Sequence, residues 1–423
     1  MENFMNNQNL CGSYAKRIVV ELFSFLFVIV LASCSSSNPN GPVYHEPRQL
    51  TSGEQNLVAA NNSFGFNLFS DVSAEEGDKN VVISPLSISM ALGMTVNGAN
   101  GETRDAMLKA MQLYGLSMDD VNQSYRTLID LLIHLDPNVK FQLANSIWYR
   151  NDFKFEQTFF DLCKQYFDAE VTGLNFNESE KSKATINNWV NEKTKGKIKE
   201  IVDQINDNSM MFLINAIYFK GAWHSKFDPK DTYKGKFTKL NGEKQDCDMM
   251  KQESQFKYYS NEYFQIVDMP YSFGDWSMTI FLPQLDKSFN ECVSAFTKDN
   301  YEQWIANLDT QMVIIEMPKF KIEYKTSLNN TLKKLGMGIA FIPGEADFTN
   351  MSKTDGKNFF INSVKHKTFI QVDEVGTEAA AVTSVEIIVV SMPPHLIMDR
   401  PFLFVIRDTH SGSILFIGKI LEI

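Results

Sequence analysis

The sequence predicts one large domain of mixed helix and strand, on three observations. No Pro/Gly/Ser-rich linker, charge block or internal repeat interrupts the chain after about residue 50, and its 423 residues, 44% hydrophobic and 12% aromatic, supply a large core. Two runs near the C-terminus, Phe360 to Val372 and Thr377 to Ile387, read as strands. Ser84 stands before Pro85, the pairing that caps a helix and opens its first turn. Length alone suggests two or three domains; the unbroken composition favours one.

Taken in order, the chain opens on a targeting segment, residues 1–33. Lys16 and Arg17 precede an apolar run from Ile18 to Leu31 broken only by Glu21 and Ser24, too short and too flanked for a membrane span. Leu31-Ala32-Ser33-Cys34 follows, and small residues before a cysteine resemble a bacterial lipoprotein box, in which Cys34 is diacylated and becomes the first mature residue. Plain secretion with cleavage nearby is the alternative. Residues 34–50 read as a flexible tether and residues 51–423 as the folded domain. The expected location is extracytoplasmic, lipid-anchored at the periplasmic or outer face of a bacterial membrane.

Glu2 and Glu21 cancel Lys16 and Arg17, so removing the leader leaves the net charge at -11, which disfavours nucleic acid and anionic lipid surfaces as partners. Lys193, Lys195, Lys197 and Lys199 form one basic run, but Glu192 and Glu200 bracket it, and a solvated helix end explains it better than a polyanion site. Beyond Cys11 and Cys34, the cysteines are Cys163, Cys247 and Cys292; with no Cys-x-x-Cys or His/Cys cluster they read as free, buried thiols, and no metal or cofactor is expected. The chain carries no Gly-x-Ser-x-Gly elbow, His-Glu-x-x-His helix, P-loop or Gly-x-Gly-x-x-Gly turn. Its six histidines, His45, His134, His224, His366, His395 and His410, have no motif around them. An enzyme is not the expected reading.

The segment Glu374 to Pro394 reads two ways. Pro393 and Pro394 break a ladder and Gly376 gives a mobile start, as in a loop. Yet Thr377, Ala379, Ala381, Thr383, Val385 and Ile387 carry no charge, while Glu378, Ser384 and Glu386 fall on the opposite parity, as in a strand with one face buried. The two readings together suggest a segment that changes partners.

Its surroundings resemble the serpin family over nearly the whole mature chain. His366 to Glu374 followed by Gly376-Thr377-Glu378-Ala379-Ala380-Ala381 resembles the strand and hinge before a reactive-centre loop, and Asp399 to Phe404 and Ile414 to Lys419 resemble the closing strands. Asn80 to Ile88, Asn215 to Gly221 with Trp223, Met317 to Ile322, Leu335-Gly336-Met337 and Ala346-Asp347-Phe348 resemble other family segments, in family order. The resemblance implies an α+β fold: one domain whose large central sheet can accept an inserted loop strand, with smaller sheets and surrounding helices. It also implies a monomer that inhibits serine proteases.

Further roles follow from the resemblance alone. Ser84, Ser87, Asn215 and His366 match the shutter, a polar cluster over which the sheet parts; Trp223 and Lys319 match the breach, with Lys319 paired to Glu374 at the loop base. A protease takes the loop as substrate, forms an acyl-enzyme, and is trapped when the cut loop enters the sheet from its hinge, Glu374, Gly376 and Thr377 to Val382. The ungapped register puts the reactive bond between Val390 and Ser391, which suits the shallow apolar pocket of elastase-like enzymes; Ile387, Ile388 and Val389 suit them too, so a cut one or two residues earlier is the alternative bond, and subtilisin-like and papain-like proteases are alternative targets. Val382 departs from the commoner alanine, on the water-facing parity. A non-inhibitory serpin that binds a partner or senses cleavage is the competing reading.

Overall fold

The computed structural model describes residues 46–206, 209–376 and 393–423. Cys34, hinge residues Thr377, Glu378, Ala379, Ala380, Ala381 and Val382, and the bond Val390-Ser391 lie outside the described residues.

Helix α1 (Ser52–Glu76) begins in a capping box, with the Thr51 hydroxyl accepting the Glu54 N–H while the Glu54 carboxylate accepts that of Thr51. Strand β1 (Val81–Ile83) leads into α2 (Pro85–Gly98), whose N-cap is Ser84. Then come α3 (Gly101–Ala110), α4 (Met118–His134), β2 (Lys140–Arg150), α5 (Gln157–Phe167), β3 (Ala169–Leu174), α6 (Ser179–Lys193) and β4 (Met211–Lys220). The lysine run does fall at a helix end: α6 stops at Lys193, and Lys195 and Gly196 turn the chain with φ of 52° and 80°.

The next strands are β5 (Tyr233–Thr238), β6 (Lys244–Ser260), β7 (Phe264–Tyr271) and β8 (Trp276–Pro283). Helices α7 (Phe289–Ala295) and α8 (Lys298–Ala306) precede β9 (Asp309–Pro318) and β10 (Phe320–Ser327). After the short α9 (Asn329–Leu332) come β11 (Lys365–Val372), β12 (His395–Ile397), β13 (Phe402–Asp408) and β14 (Ile414–Ile420).

Nine strands form one hydrogen-bonded set, in the order β1-β14-β13-β8-β7-β6-β9-β12 with β5 on β6. Every residue of β8, β13 and β14 is buried, which accounts for their near-continuous apolar sequences. The other five strands form two ladders. One is β3-β2-β4; the other is β10-β11, paired from Phe320↔Val372 to Ser327↔Lys365.

Among the described residues no ladder joins β4 to β11. A cleft runs between them, with a cavity of about 380 Å³ between Ile217–Lys220 and Phe369–Gln371 and one of about 190 Å³ lower down, beside Asn215 and His366. Side-chain alternation assigns its two faces. On β11, His366, Thr368, Ile370 and Val372 point inward, and Lys365, Lys367, Phe369 and Gln371 outward. On β4, Leu213, Ile217 and Phe219 join the main core, whereas Ile214 and Ala216 face a separate outer core built on α6.

That outer core includes Ile198, Ile201, Val202 and Ile205, from the segment that follows α6, and it reaches Phe369 on the far side of the cleft. Asp203 extends the same bridge, pairing with Lys325 of β10 and Lys365 of β11. Residues 194–206 therefore form a strap across the outer face.

The run Phe360 to Val372 is shorter as a strand than its sequence suggests. It joins the ladder only from Lys365, because the Ile361 N–H donates to Ala340 O and the Val364 N–H to Asn329 Oδ1.

Candidate functional site

At the upper end of the cleft the chain reverses in a tight turn. Gly376 N donates to Asp373 O (3.1 Å) and Asp373 N to Gly376 O (3.3 Å), closing a two-residue connection over Glu374 and Val375. Trp223 holds this turn from the β4 side. Its indole Nε1 donates to Asp373 O (3.0 Å), its backbone N–H donates to Val375 O (3.0 Å), and Ala222 bridges Gly376 in antiparallel sense. The ring is buried and stacks on Tyr271, centroids 4.4 Å apart at 13°, a contact worth about 0.5–1.5 kcal/mol beyond burial.

Lys319 and Glu374 meet here, Nζ to Oε1 2.6 Å, and Thr232 Oγ1 donates to the same carboxylate oxygen at 2.9 Å. Burial opposes ionisation of Glu374, but the Lys319 ammonium and the Thr232 hydroxyl together hold its carboxyl below the usual range. The loop base thus begins at a pinned, charged corner.

Lower in the cleft sits a polar cluster on the inner face. The Ser84 N–H donates to His366 Nε2 (3.0 Å), so the imidazole carries its proton on Nδ1, and burial pushes its pKa down to about 3. Ser84 Oγ caps α2 by accepting the Ser87 N–H at 3.4 Å. Across the cleft, Asn215 Nδ2 donates to Asn145 Oδ1 (2.8 Å), and Asn145 in turn donates to Phe167 O. Asn215 Oδ1 is buried with no hydrogen-bond partner among the described residues. Ser84, Ser87 and His366 are therefore joined on the β11 side, while Asn215 belongs to a network on the β4 side.

Sequence reasoning did not find Tyr271, Thr232, Asn145 or the clamp at Asp203. Asn145 alone left a signal, a polar residue in the mostly apolar stretch from Leu143 to Trp148. The others are set by tertiary contact.

The three cysteines past residue 45 are free and buried. Among the described residues no group of His, Cys, Asp or Glu is arranged to hold a metal, and no helix is long and apolar enough to cross a membrane.

A family model described as Serpin (serine protease inhibitor) matches residues 59–423. The chain belongs to the serpin family. Human Serpin B8 is 35% identical to this serpin over 372 residues, which cover 86% of this chain and 98% of the relative. The crystal structure of Tengpin, a thermophilic serpin in its native state, is similar at TM-score 0.79 and 33% identity, covering 90% of this chain and 96% of that one. The thyroxine-binding globulin complex with thyroxine gives TM-score 0.78 at 27% identity, over 86% and 99% of the two chains. Serpins share an α+β fold with a large central sheet, smaller sheets and surrounding helices. Many serpins inhibit serine proteases, and some do not.

Proposed function

We propose that this serpin is a suicide-substrate inhibitor of serine proteases, of elastase-like or subtilisin-like preference, cut between Val390 and Ser391. The cleft between β4 and β11, with the chain already reversed at its upper end, carries this reading. The protease serine attacks the Val390 carbonyl, the new amine of Ser391 departs, and Val390 stays esterified to the enzyme. The freed hinge then enters the cleft from Thr377 onward, where small side chains meet least hindrance.

Each inserted residue gains a hydrogen bond worth roughly 0.5–1.5 kcal/mol, and each buried Val or Ile adds about 1.5–3 kcal/mol. Over a dozen residues the upper bound is on the order of 20 kcal/mol. Dragging the acylated protease along with the loop distorts its active site; losing one oxyanion-hole donor slows deacylation roughly 100- to 1000-fold.

The test is to incubate the mature protein with elastase-, subtilisin-, trypsin- and papain-like enzymes. A denaturant-stable complex and a released peptide beginning at Ser391 are expected. Clean cleavage without a complex in every case overturns the inhibitory reading in favour of a binding or cleavage-sensing serpin. Membrane attachment through a lipid on Cys34 belongs to the same proposal. Labelled fatty acid should be incorporated by the wild type and lost in Cys34→Ser, whereas equal solubility of both without labelling indicates plain secretion.

A further inference from the structure

Both ends of the segment between Gly376 and Pro394 are tied to one short stretch, Glu316-Met317-Pro318-Lys319, by two contacts of opposite sense. Upstream the stretch supplies the base, Lys319 Nζ to Glu374 Oε1 at 2.6 Å; downstream it supplies the acid, Glu316 Oε1 to His395 Nε2 at 3.0 Å. The first contact belongs to the turn beside Trp223. The second rests on a buried carboxylate that the trapping mechanism does not use.

Strand β12 needs such a tie. It is a three-residue edge strand, paired in parallel with β9 alone among the described residues: His395↔Ile314, Leu396↔Ile315 and Ile397↔Glu316. Pro393 and Pro394 have no N–H, so the ladder gains no donor upstream, and its last bond there runs from the Ile314 N–H to Pro394 O at 2.9 Å. Buried Leu396 and Met398 seat the strand; His395 is the first polar side chain that can hold its free end.

Glu316 gathers partners from three other strands. Its Oε2 accepts the Tyr233 hydroxyl of β5, while Oε1 faces Lys251 Nζ of β6 at 3.1 Å as well as the imidazole of β12. Burial opposes ionisation of Glu316, but the Tyr233 hydroxyl, the Lys251 ammonium and the His395 ring together hold its carboxyl below the usual range. Burial and the neighbouring carboxylate push the Tyr233 phenol up to about 12. Of these four groups, only the imidazole changes charge between pH 5 and 8.

A carboxylate only accepts, so Nε2 donates whether the ring is neutral or charged, and a proton taken up at Nδ1 adds charge to a bond already made. The neighbours set the sign. Directly opposed residues share a face, so the row His395, Ile314, Glu253 lies beside the row Ile397, Glu316, Lys251. Glu316 and Glu253 favour the cation, Lys251 opposes it, and Asp399 is taken by Arg400 at 3.1 Å.

We infer that Glu316 and His395 are positioning residues for the downstream stem of the reactive segment, holding β12 on β9 more tightly once His395 is protonated. Acidification from pH 8 to 5.5 thus stiffens one end of the segment and leaves the Lys319–Glu374 end as it was. That the stem presents a bond to a protease rests on the function proposed above; the latch itself does not.

The experiment measures hydrogen exchange in a peptide covering residues 395–399 at pH 5.5 and 8.0, corrected for the intrinsic pH dependence of exchange. In the wild type, protection should be roughly two- to fivefold greater at pH 5.5, the scale of a partly exposed ion pair, and the difference should shrink in high salt. His395→Gln keeps a donor but should lose the pH dependence, and Glu316→Gln should lose it too. If Glu316→Gln fails to fold, Lys251→Met, which removes the competing cation, should enlarge the difference instead. Equal wild-type protection at both pH values, or a His395→Gln protein that keeps the wild-type dependence, overturns the inference.

With an elastase-like protease, the ratio of wild-type to His395→Gln complex-formation rates cancels the enzyme's own pH dependence. It should change about twofold or more between the two pH values; a constant ratio removes the positioning role. If the wild type traps no protease, the inhibitory reading falls and the exchange comparison still decides the latch. A protein that traps protease with flat exchange loses the latch and keeps the inhibitory reading.

Discussion

At Gly376 the backbone takes φ +112°, and a Cβ there would stand 2.5 Å from the Trp223 nitrogen and 2.7 Å from the Gly221 carbonyl oxygen. Both the dihedral and the close approach require glycine. Gly376→Ala should therefore cost about 1–3 kcal/mol in urea unfolding, with the Trp223 fluorescence reporting the disturbed turn; an unchanged midpoint would remove the argument. His366 gives a pH prediction. Its folded pKa, about 3, lies below the usual 6.5, so the unfolded chain binds the extra proton between those values. Stability from this group is complete above pH 6.5 and drains as pH falls toward 3, by at most about 1.4 kcal/mol per pH unit. His366→Gln should flatten unfolding free energy against pH between 6.5 and 4.5. Glu374, held below the usual carboxylate range, adds its own loss only as the pH falls below about 4.3.

Among the elements, the strap after α6 is the one the sequence concealed. Its lysines were legible as a solvated helix end, and the helix does stop at Lys193. The clamp was not, because Asp203 lies more than a hundred residues from Lys325 and Lys365 and forms no local pattern with them. That Lys365 to Val372 lies in a strand was readable, since the run Phe360 to Val372 already reads as one. The start of β11 was not, because Asn329 and Ala340 capture the preceding backbone. Ser84 was legible twice, as a cap and as a cluster member, because capping needs only the residue and the proline after it. An inserting strand must pass beneath the strap, so Asp203→Asn should speed complex formation with a target protease. The three side chains are each about a third to two-fifths exposed, so the gain should be only about two- to fivefold and should shrink in high salt. A rate unchanged at low ionic strength would show that the clamp does not gate insertion.

For the whole molecule, the proposed insertion would make loop cleavage a stability event. A strand arriving between β4 and β11 finds backbone partners on both sides and an apolar floor, so one insertion converts two small ladders into a continuous sheet. The upper bound of about 20 kcal/mol is reduced by ordering the loop and by compact unfolded states. Even half of it is large against the 5–15 kcal/mol that hold an ordinary domain together. At roughly 1–1.5 °C per kcal/mol for a domain of this length, cleaved protein should melt about 10 °C or more above intact protein. Thr377→Arg should abolish most of that rise, because a long charged side chain at the first inward position, opposite Gly221 and Val372, cannot enter without desolvating its guanidinium. The variant should then be cut by an elastase-like protease without trapping it. A Thr377→Arg protein that still traps protease, or a cleaved wild type that melts with the intact form, would mean that the cleft is not where the cut loop goes.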